Sequence, residues 1–174
     1  ESEGDYLAAW KEHALPRASD LLSMAVVGGL VADRLAWVFV AGYQAACRHV
    51  FPDAKQRSWM AYAATEDRKG NPPLPGVRFD GDDGSGTLTG TKTWIAAAAV
   101  VQDIVVKVGT GGGAAYYSIA RESPGLSIET GPKAGFLADM SQGRAHFDGT
   151  PVSAGDVLDA SRIAAFRLLE PLYI

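Results

Sequence analysis

Between Asp5 and about Val50, Ala, Leu, Met and Trp recur three and four residues apart with no strand-like alternation, and this spacing predicts helices. Pro16 divides a first short helix from a second, Ser19 is the expected N-cap ahead of Asp20-Leu21-Leu22, and Gly28-Gly29 either ends the second helix or lets it pack closely. A third helix is expected over Val31 to Val50. It stops at Phe51-Pro52, because proline lacks the amide hydrogen of the next turn and restricts the residue before it. The apolar stretch Leu35 to Cys47 contains Gly42, Tyr43 and Gln44 and is far shorter than the roughly twenty apolar residues of a bilayer crossing, so a core helix is expected and no membrane insertion.

Beyond Pro52 the pattern changes. All but four of the 20 glycines lie from Gly70 onward, interleaved with short β-branched and aromatic runs, which is how antiparallel strands joined by turns read. Strands are expected at Trp59–Ala64, Gly76–Phe79, Gly86–Thr89, Lys92–Ala96, Asp103–Val108, Ala115–Ala120, Leu126–Glu129 and Arg144–Phe147. Asp80 to Gly86 and Gly109 to Gly113 supply turn glycines between them. Eight short strands at this spacing suggest a small barrel or sandwich. From Ser161, a possible cap, Ile163, Phe166 and Leu169 return to a helical spacing. The fold class is therefore α+β, with N-terminal helices (1–55), an antiparallel β-barrel or sandwich middle domain (56–160) and the start of a C-terminal helical segment (161–174).

Composition narrows the function. A hydrophobic content of 47% and a net charge of −4 describe an ordinary globular protein, and 16 Lys and Arg against 20 Asp and Glu, with no basic run, argue against a nucleic-acid surface. The acidic start ESEGDYLAAWKEH does not resemble a secretory signal, and a single cysteine, Cys47, excludes an internal disulfide; a cytoplasmic protein is expected. Gly111-Gly112-Gly113 and Gly84-Ser85-Gly86 lack the Lys-Ser/Thr and the helix start of phosphate loops. His13, His49 and His146 have no metal-ligand spacing, so no metal site is expected, and nothing such as Gly-x-Ser-x-Gly joins Ser, His and Asp.

Three signals carry chemistry. The first predicted strand ends in Tyr62-Ala63-Ala64-Thr65-Glu66 and runs through Asp67-Arg68-Lys69-Gly70-Asn71. A second segment reads Gly90-Thr91-Lys92-Thr93-Trp94-Ile95-Ala96, and an alternating strand follows over Asp103 to Val108. Their order and spacing resemble the flavin-binding middle domain of the acyl-CoA dehydrogenases, over roughly residues 52 to 165. Pro124-Gly125-Leu126, Lys133-Ala134-Gly135-Phe136 and Phe147 to Leu158 are similar to that family's closing strands and the approach to its C-terminal helices.

The resemblance implies FAD as cofactor and an acyl-CoA thioester as substrate, dehydrogenated between its α and β carbons. It implies that Tyr62, Ala64 and Thr65 border the flavin's pyrimidine edge, that Gly70 and Asn71 form the adjoining turn, that Trp94 lies against the ring system, and that Ala96 occupies the position beside the flavin's N5 edge. Asp67 stands where the family has proline, Asn71 where it has serine and Ala96 where it has threonine; an alanine methyl makes no hydrogen bond. Thr65-Glu66 also reads as an ordinary strand end and Trp94 as an ordinary core aromatic. The family's catalytic carboxylate comes from its C-terminal helices, and Glu170 lies too near the start of that region to be assigned the role. The resemblance further implies a homo-oligomer. A non-catalytic homologue that pairs with a complete subunit is the alternative, and a binding module unrelated to flavin is a third.

Overall fold

The structure, a computed structural model, describes residues 2–67, 69–110, 113–132, 135, 137–159 and 161–166. They divide into two compact units, one formed by Glu1–Pro52, Lys133–Ser141 and Ala160–Ile174, the other by Asp53–Pro132 and Gln142–Asp159.

The first unit is built on α1 (Glu3–His13), α2 (Leu21–Leu30) and α3 (Leu35–Val50). Ser2 caps α1 through a reciprocal bond with Asp5. At α2 the cap is Asp20, whose carboxylate accepts from the Ser23 amide, and not the expected Ser19. Asp20 stands three residues ahead of the amide it must reach, and its carboxylate is the stronger acceptor. α3 begins at Leu35, four residues later than expected, because Val31 and Ala32 close a turn onto Val27 and Gly29. From Val40 to Arg48 α3 is buried throughout, as its all-round apolar sequence requires. Gly28 ends no helix; it lets α2 approach α3 so closely that an added Cβ would meet the Ala41 Cβ at 2.8 Å. Tyr6 stacks on Trp37 at 5.3 Å and donates to the Gly28 carbonyl at 2.9 Å. Ile163–Ala165 forms a short 3-10 turn; Leu169, Glu170, Lys133, Ala134 and Phe136 lie outside the described residues.

Among the described residues the second unit holds seven strands: β1 (Met60–Ala63), β2 (Arg78–Asp82), β3 (Ser85–Ala96), β4 (Asp103–Val108), β5 (Ala115–Ala120), β6 (Leu126–Thr130) and β7 (Gln142–Val152). They form a three-stranded sheet of order β1-β4-β5 and a four-stranded sheet of order β2-β3-β7-β6. Between the sheets Ala61, Ile104, Val106 and Ile119 from the first pack with Leu88, Ile95, Ala145 and Phe147 from the second. The mixed helix and sheet content is the α+β class expected.

Two features differ from the sequence expectation. The eight strands become seven, because Gly86–Thr89 and Lys92–Ala96 are one bent strand, β3. Gly90 sits at its bend with φ 131° and the Gly76 carbonyl against the position a Cβ would take, so the chain bends there without turning back. The sheets are also not purely antiparallel, since β1 pairs with β4 in parallel, Met60 opposite Asp103 and Ala63 opposite Val106. The connection between them carries the whole β2–β3 hairpin, long enough for the crossover that a parallel pair needs.

Candidate functional site

Where β1 ends, the chain continues along the edge of β3. The Thr93 amide donates to the Thr65 carbonyl at 2.9 Å, and the two residues form an isolated antiparallel bridge. Across β3, Thr93 faces Arg144 of β7, which in turn faces Glu129 of β6. Thr65, Thr93, Arg144 and Glu129 thus make one row across the sheet. Ala145 and Phe147 alternate with Arg144 and point into the core, so Arg144 and His146 project from the outer face. Thr91 shares that face, its hydroxyl 3.1 Å from His146 Nδ1.

Beside this row the pairing slips. Thr93 pairs with Arg144 and Ile95 with Gly143, leaving Trp94 as an extra, unpaired residue. Its φ is 61°, the left-handed region, and the residue is 65% exposed. A bulge residue of this kind favours glycine, and a tryptophan in it costs about 1–2 kcal/mol. The indole is therefore neither the core aromatic that the sequence left open nor a paired strand residue. It is a flat apolar surface turned outward at the expense of backbone strain, and such strain gathers at binding sites.

Beneath the row lies a buried ion pair. Lys92 points inward between Thr91 and Thr93, and its ammonium is 2.6 Å from the Glu66 carboxylate. That carboxylate fills the space beside Gly76, where a Cβ would meet Oε2 at 2.6 Å. Glu66 follows Thr65, so the pair fixes the segment that bridges to Thr93. The next turn is organised by Asp67: its Oδ1 accepts from the Gly70 amide at 2.8 Å and the Lys69 amide at 3.2 Å, and its carbonyl from the Leu74 amide. An aspartate thus secures a turn that proline would otherwise pre-set.

Of the residues singled out in the sequence, Thr65 and Trp94 are brought together through Thr93. Ala96 lies two residues past Trp94, half-buried and opposite Gln142. Ala64 adjoins Thr65 and is half-buried. Asn71 is exposed just beyond the Asp67 turn and makes no hydrogen bond among the described residues. Tyr62 lies on the face of β1 opposite the core, its ring 6.2 Å from that of Tyr116.

Sequence reasoning did not place Arg144 on this face, nor the Glu129 carboxylate 3.4 Å from His146 Nε2. Arg144-Ala145-His146-Phe147-Asp148 alternates with period two, which would have placed Arg144 and His146 on one face; their neighbours across the sheet follow only from the register. Away from this face, Arg57 binds Glu122 at 2.6 Å and the fully buried Asp103 at 2.8 Å, and Glu122 with Asp103 holds the guanidinium above its ordinary range. This network anchors the start of β4.

No protein-family model matches this sequence, and no curated protein matches it. Solved structures do. An acyl-CoA dehydrogenase complexed with FAD from Bacillus anthracis superposes with a TM-score of 0.67 at 14% identity, over 94% of this chain and 34% of that one. Butyryl-CoA dehydrogenase from Megasphaera elsdenii gives 0.59 at 15%, over 91% and 46%. The fold is that of the acyl-CoA dehydrogenases. The prolyl acyl carrier protein oxidase AnaB has the same likeness, 0.64 at 16% identity, over 94% of this chain and 50% of that one. The chain spans half or less of each of these three structures. The resemblance drawn from the Thr65-Glu66 and Trp94-Ile95 motifs holds at the level of that fold.

Proposed function

We propose that this chain is the flavin-binding portion of an FAD-dependent oxidoreductase that dehydrogenates an acyl-CoA thioester. The observation that carries the reading is Trp94, an exposed indole held in a strained bulge beside Thr65. A planar ring system fits that indole, and the polar groups around Thr65 fit the hydrogen-bonding edge of a flavin.

In this reading Trp94 covers one ring face and excludes water from it. The Thr65 hydroxyl and the Ala64 backbone meet the pyrimidine edge, Asn71 offers an amide donor and acceptor from the turn, and Tyr62 borders the same strand end. Ala96 contributes only its backbone, so one hydrogen bond to the cofactor is withheld. When bound, FAD supplies the acceptor for the hydride leaving the β-carbon of the thioester. A carboxylate must take the α-proton, and none of the described residues is assigned to it.

The reading includes a cytoplasmic protein that associates with further copies of itself. No helix among the described residues is long and apolar enough to cross a membrane. Support for association comes from α2, where Leu22, Val26 and Leu30, four residues apart, are all exposed.

The withheld hydrogen bond at Ala96 also favours a second reading, a flavin-free homologue that serves as a partner for a complete subunit. Purification of the chain followed by anaerobic addition of an acyl-CoA separates the two. A yellow protein whose flavin absorbance bleaches on addition supports the enzyme. A protein that stays colourless after incubation with FAD contradicts the flavin reading.

A further inference from the structure

The register of β3 against β7 is displaced in one short stretch. Leu88 faces Thr150, but Gly90 faces Phe147, so β7 carries an extra residue within Asp148-Gly149, where Gly149 has φ 63°. From Gly90 to Thr93 the strands run in that displaced register. The Trp94 bulge then restores the original one, with Ile95 opposite Gly143 and Ala96 opposite Gln142. An extra residue on β3 is unavoidable, because Leu88 and Ile95 both lie in the core yet stand an odd number of steps apart on a strand whose side chains alternate.

Nothing in the alternation requires that residue to be a tryptophan. Gly90 lies within the same stretch, beside the β7 bulge, and already has φ 131°, a value suited to glycine. With the extra residue at Gly90 the ladder would run unbroken, Thr91 opposite Phe147, Thr93 opposite Ala145 and Trp94 opposite Arg144, and Trp94 would be extended and unstrained. One side chain changes faces for the worse. Lys92 would stand opposite His146 on the outer face, whereas it now stands opposite Ala145, 1% exposed, with its ammonium 2.6 Å from the Glu66 carboxylate. A one-residue slip reverses the face of every side chain it includes, so the ion pair exists only in the displaced register. Apolar residues often replace a buried ion pair without loss of stability, and the best-attested use of such groups is to fix a register.

We infer that Glu66 is the positioning residue of this site: by holding the Lys92 ammonium inside, it places the extra residue of β3 at Trp94 instead of at Gly90. The consequence for a cofactor rests on the flavin reading above. In the slipped ladder the indole moves one strand step, about 3.3 Å, into the place Thr93 now occupies beside Thr65, and the surface that receives the ring is lost. Glu66 thus acts on the site from beneath the sheet, without touching the ring.

The test follows two signals in the isotope-labelled intact chain without flavin. Backbone carbon shifts of Trp94 separate left-handed from extended conformation, and cross-strand proton contacts of Ala145 report its partner on β3. The unaltered protein shows a left-handed Trp94 and Ala145 against Lys92. In Glu66→Gln the lysine turns outward, Trp94 becomes extended and Ala145 meets Thr93. Two charge-free pairs keep the test decisive if that variant does not fold. Glu66→Leu with Lys92→Thr gives the slipped ladder, since nothing holds position 92 inside. Glu66→Leu with Lys92→Met keeps the bulge, since methionine fills core space. A left-handed Trp94 in both folded Glu66→Gln and the Lys92→Thr pair overturns the inference and leaves the flavin reading intact. FAD titration of the same proteins is expected to show binding weaker by about tenfold wherever the bulge has moved, the scale of a lost aromatic contact. Equal affinity in bulged and slipped proteins, or no flavin binding by the unaltered chain, contradicts the flavin reading, while the carbon shifts still decide where Glu66 places the bulge.

Discussion

The Thr93 amide donates to the Thr65 carbonyl at 2.9 Å, and this bond makes the end of β1 and the middle of β3 a single pairing at the point where Trp94 leaves the ladder. With Ile95 buried and paired to Gly143 on the far side, Trp94 cannot relax into the strand without shifting the register of the core. A glycine at position 94 removes the left-handed strain but adds chain entropy to the unfolded state. Trp94→Gly is therefore expected to leave stability unchanged or to raise it by about 1 kcal/mol in urea unfolding, although it deletes the largest side chain of the site. A loss of several kcal/mol would show that the indole serves packing.

The Lys92–Glu66 pair is nearly sealed from solvent, and removing one partner leaves the other charge buried. Glu66→Leu is expected to cost about 3–5 kcal/mol, and Glu66→Leu combined with Lys92→Met to recover most of that loss. A double-mutant cycle by chemical denaturation gives the coupling directly. A cost for the double variant as large as for the single one would contradict the pairing.

Gly90→Ala places a methyl group against the Gly76 carbonyl at φ 131°. The expected cost is about 3 kcal/mol, combining an unfavourable backbone region with a steric clash. The melting temperature should fall by several degrees. By comparison Gly29→Ala, where nothing lies within 4 Å of the added atom, is expected to be neutral or stabilising.

Acid is expected to destabilise the protein. Burial pushes the Asp156 carboxyl up, but Lys55 Nζ at 2.8 Å and the Ser153 amide and hydroxyl outweigh it, and the group lies below the usual carboxylate range. The Arg57 guanidinium likewise holds Glu122 low. A carboxylate with a lowered folded pKa contributes stability above its unfolded value, near 4, and that contribution fades as pH falls through the folded value. Urea midpoints should therefore hold from neutrality down to about pH 5 and decline below it. Lys55→Met should flatten part of that decline.

The motifs made the strand-rich unit legible, because Thr65-Glu66, Trp94-Ile95 and the alternating Asp103 to Val108 carry a family resemblance in short local stretches. The site was legible only in part. That Trp94 stands out of the strand depends on where β7 pairs with β3, a register that local sequence does not contain. The same holds for the parallel pairing of β1 with β4 and for the row that places Arg144 opposite Thr93. Asp20 replaced Ser19 as a cap because two adjacent residues both have cap chemistry and only backbone geometry chooses between them. Ala96 stands where the resemblance implies a threonine hydroxyl beside the flavin. Restoring it with Ala96→Thr, a substitution a strand tolerates, is expected to tighten FAD binding by about 1 kcal/mol, one neutral hydrogen bond.

The central claim is that Trp94 is held in its strained bulge in order to bind a flavin ring. Its most direct test is an FAD titration of the intact chain and of Trp94→Leu, with calorimetry and unfolding measured on both. The expected result is saturable binding by the intact chain and at least a tenfold loss in a Trp94→Leu protein that unfolds at the same denaturant concentration. Equal affinity in the two proteins, or no binding by either, would contradict the claim.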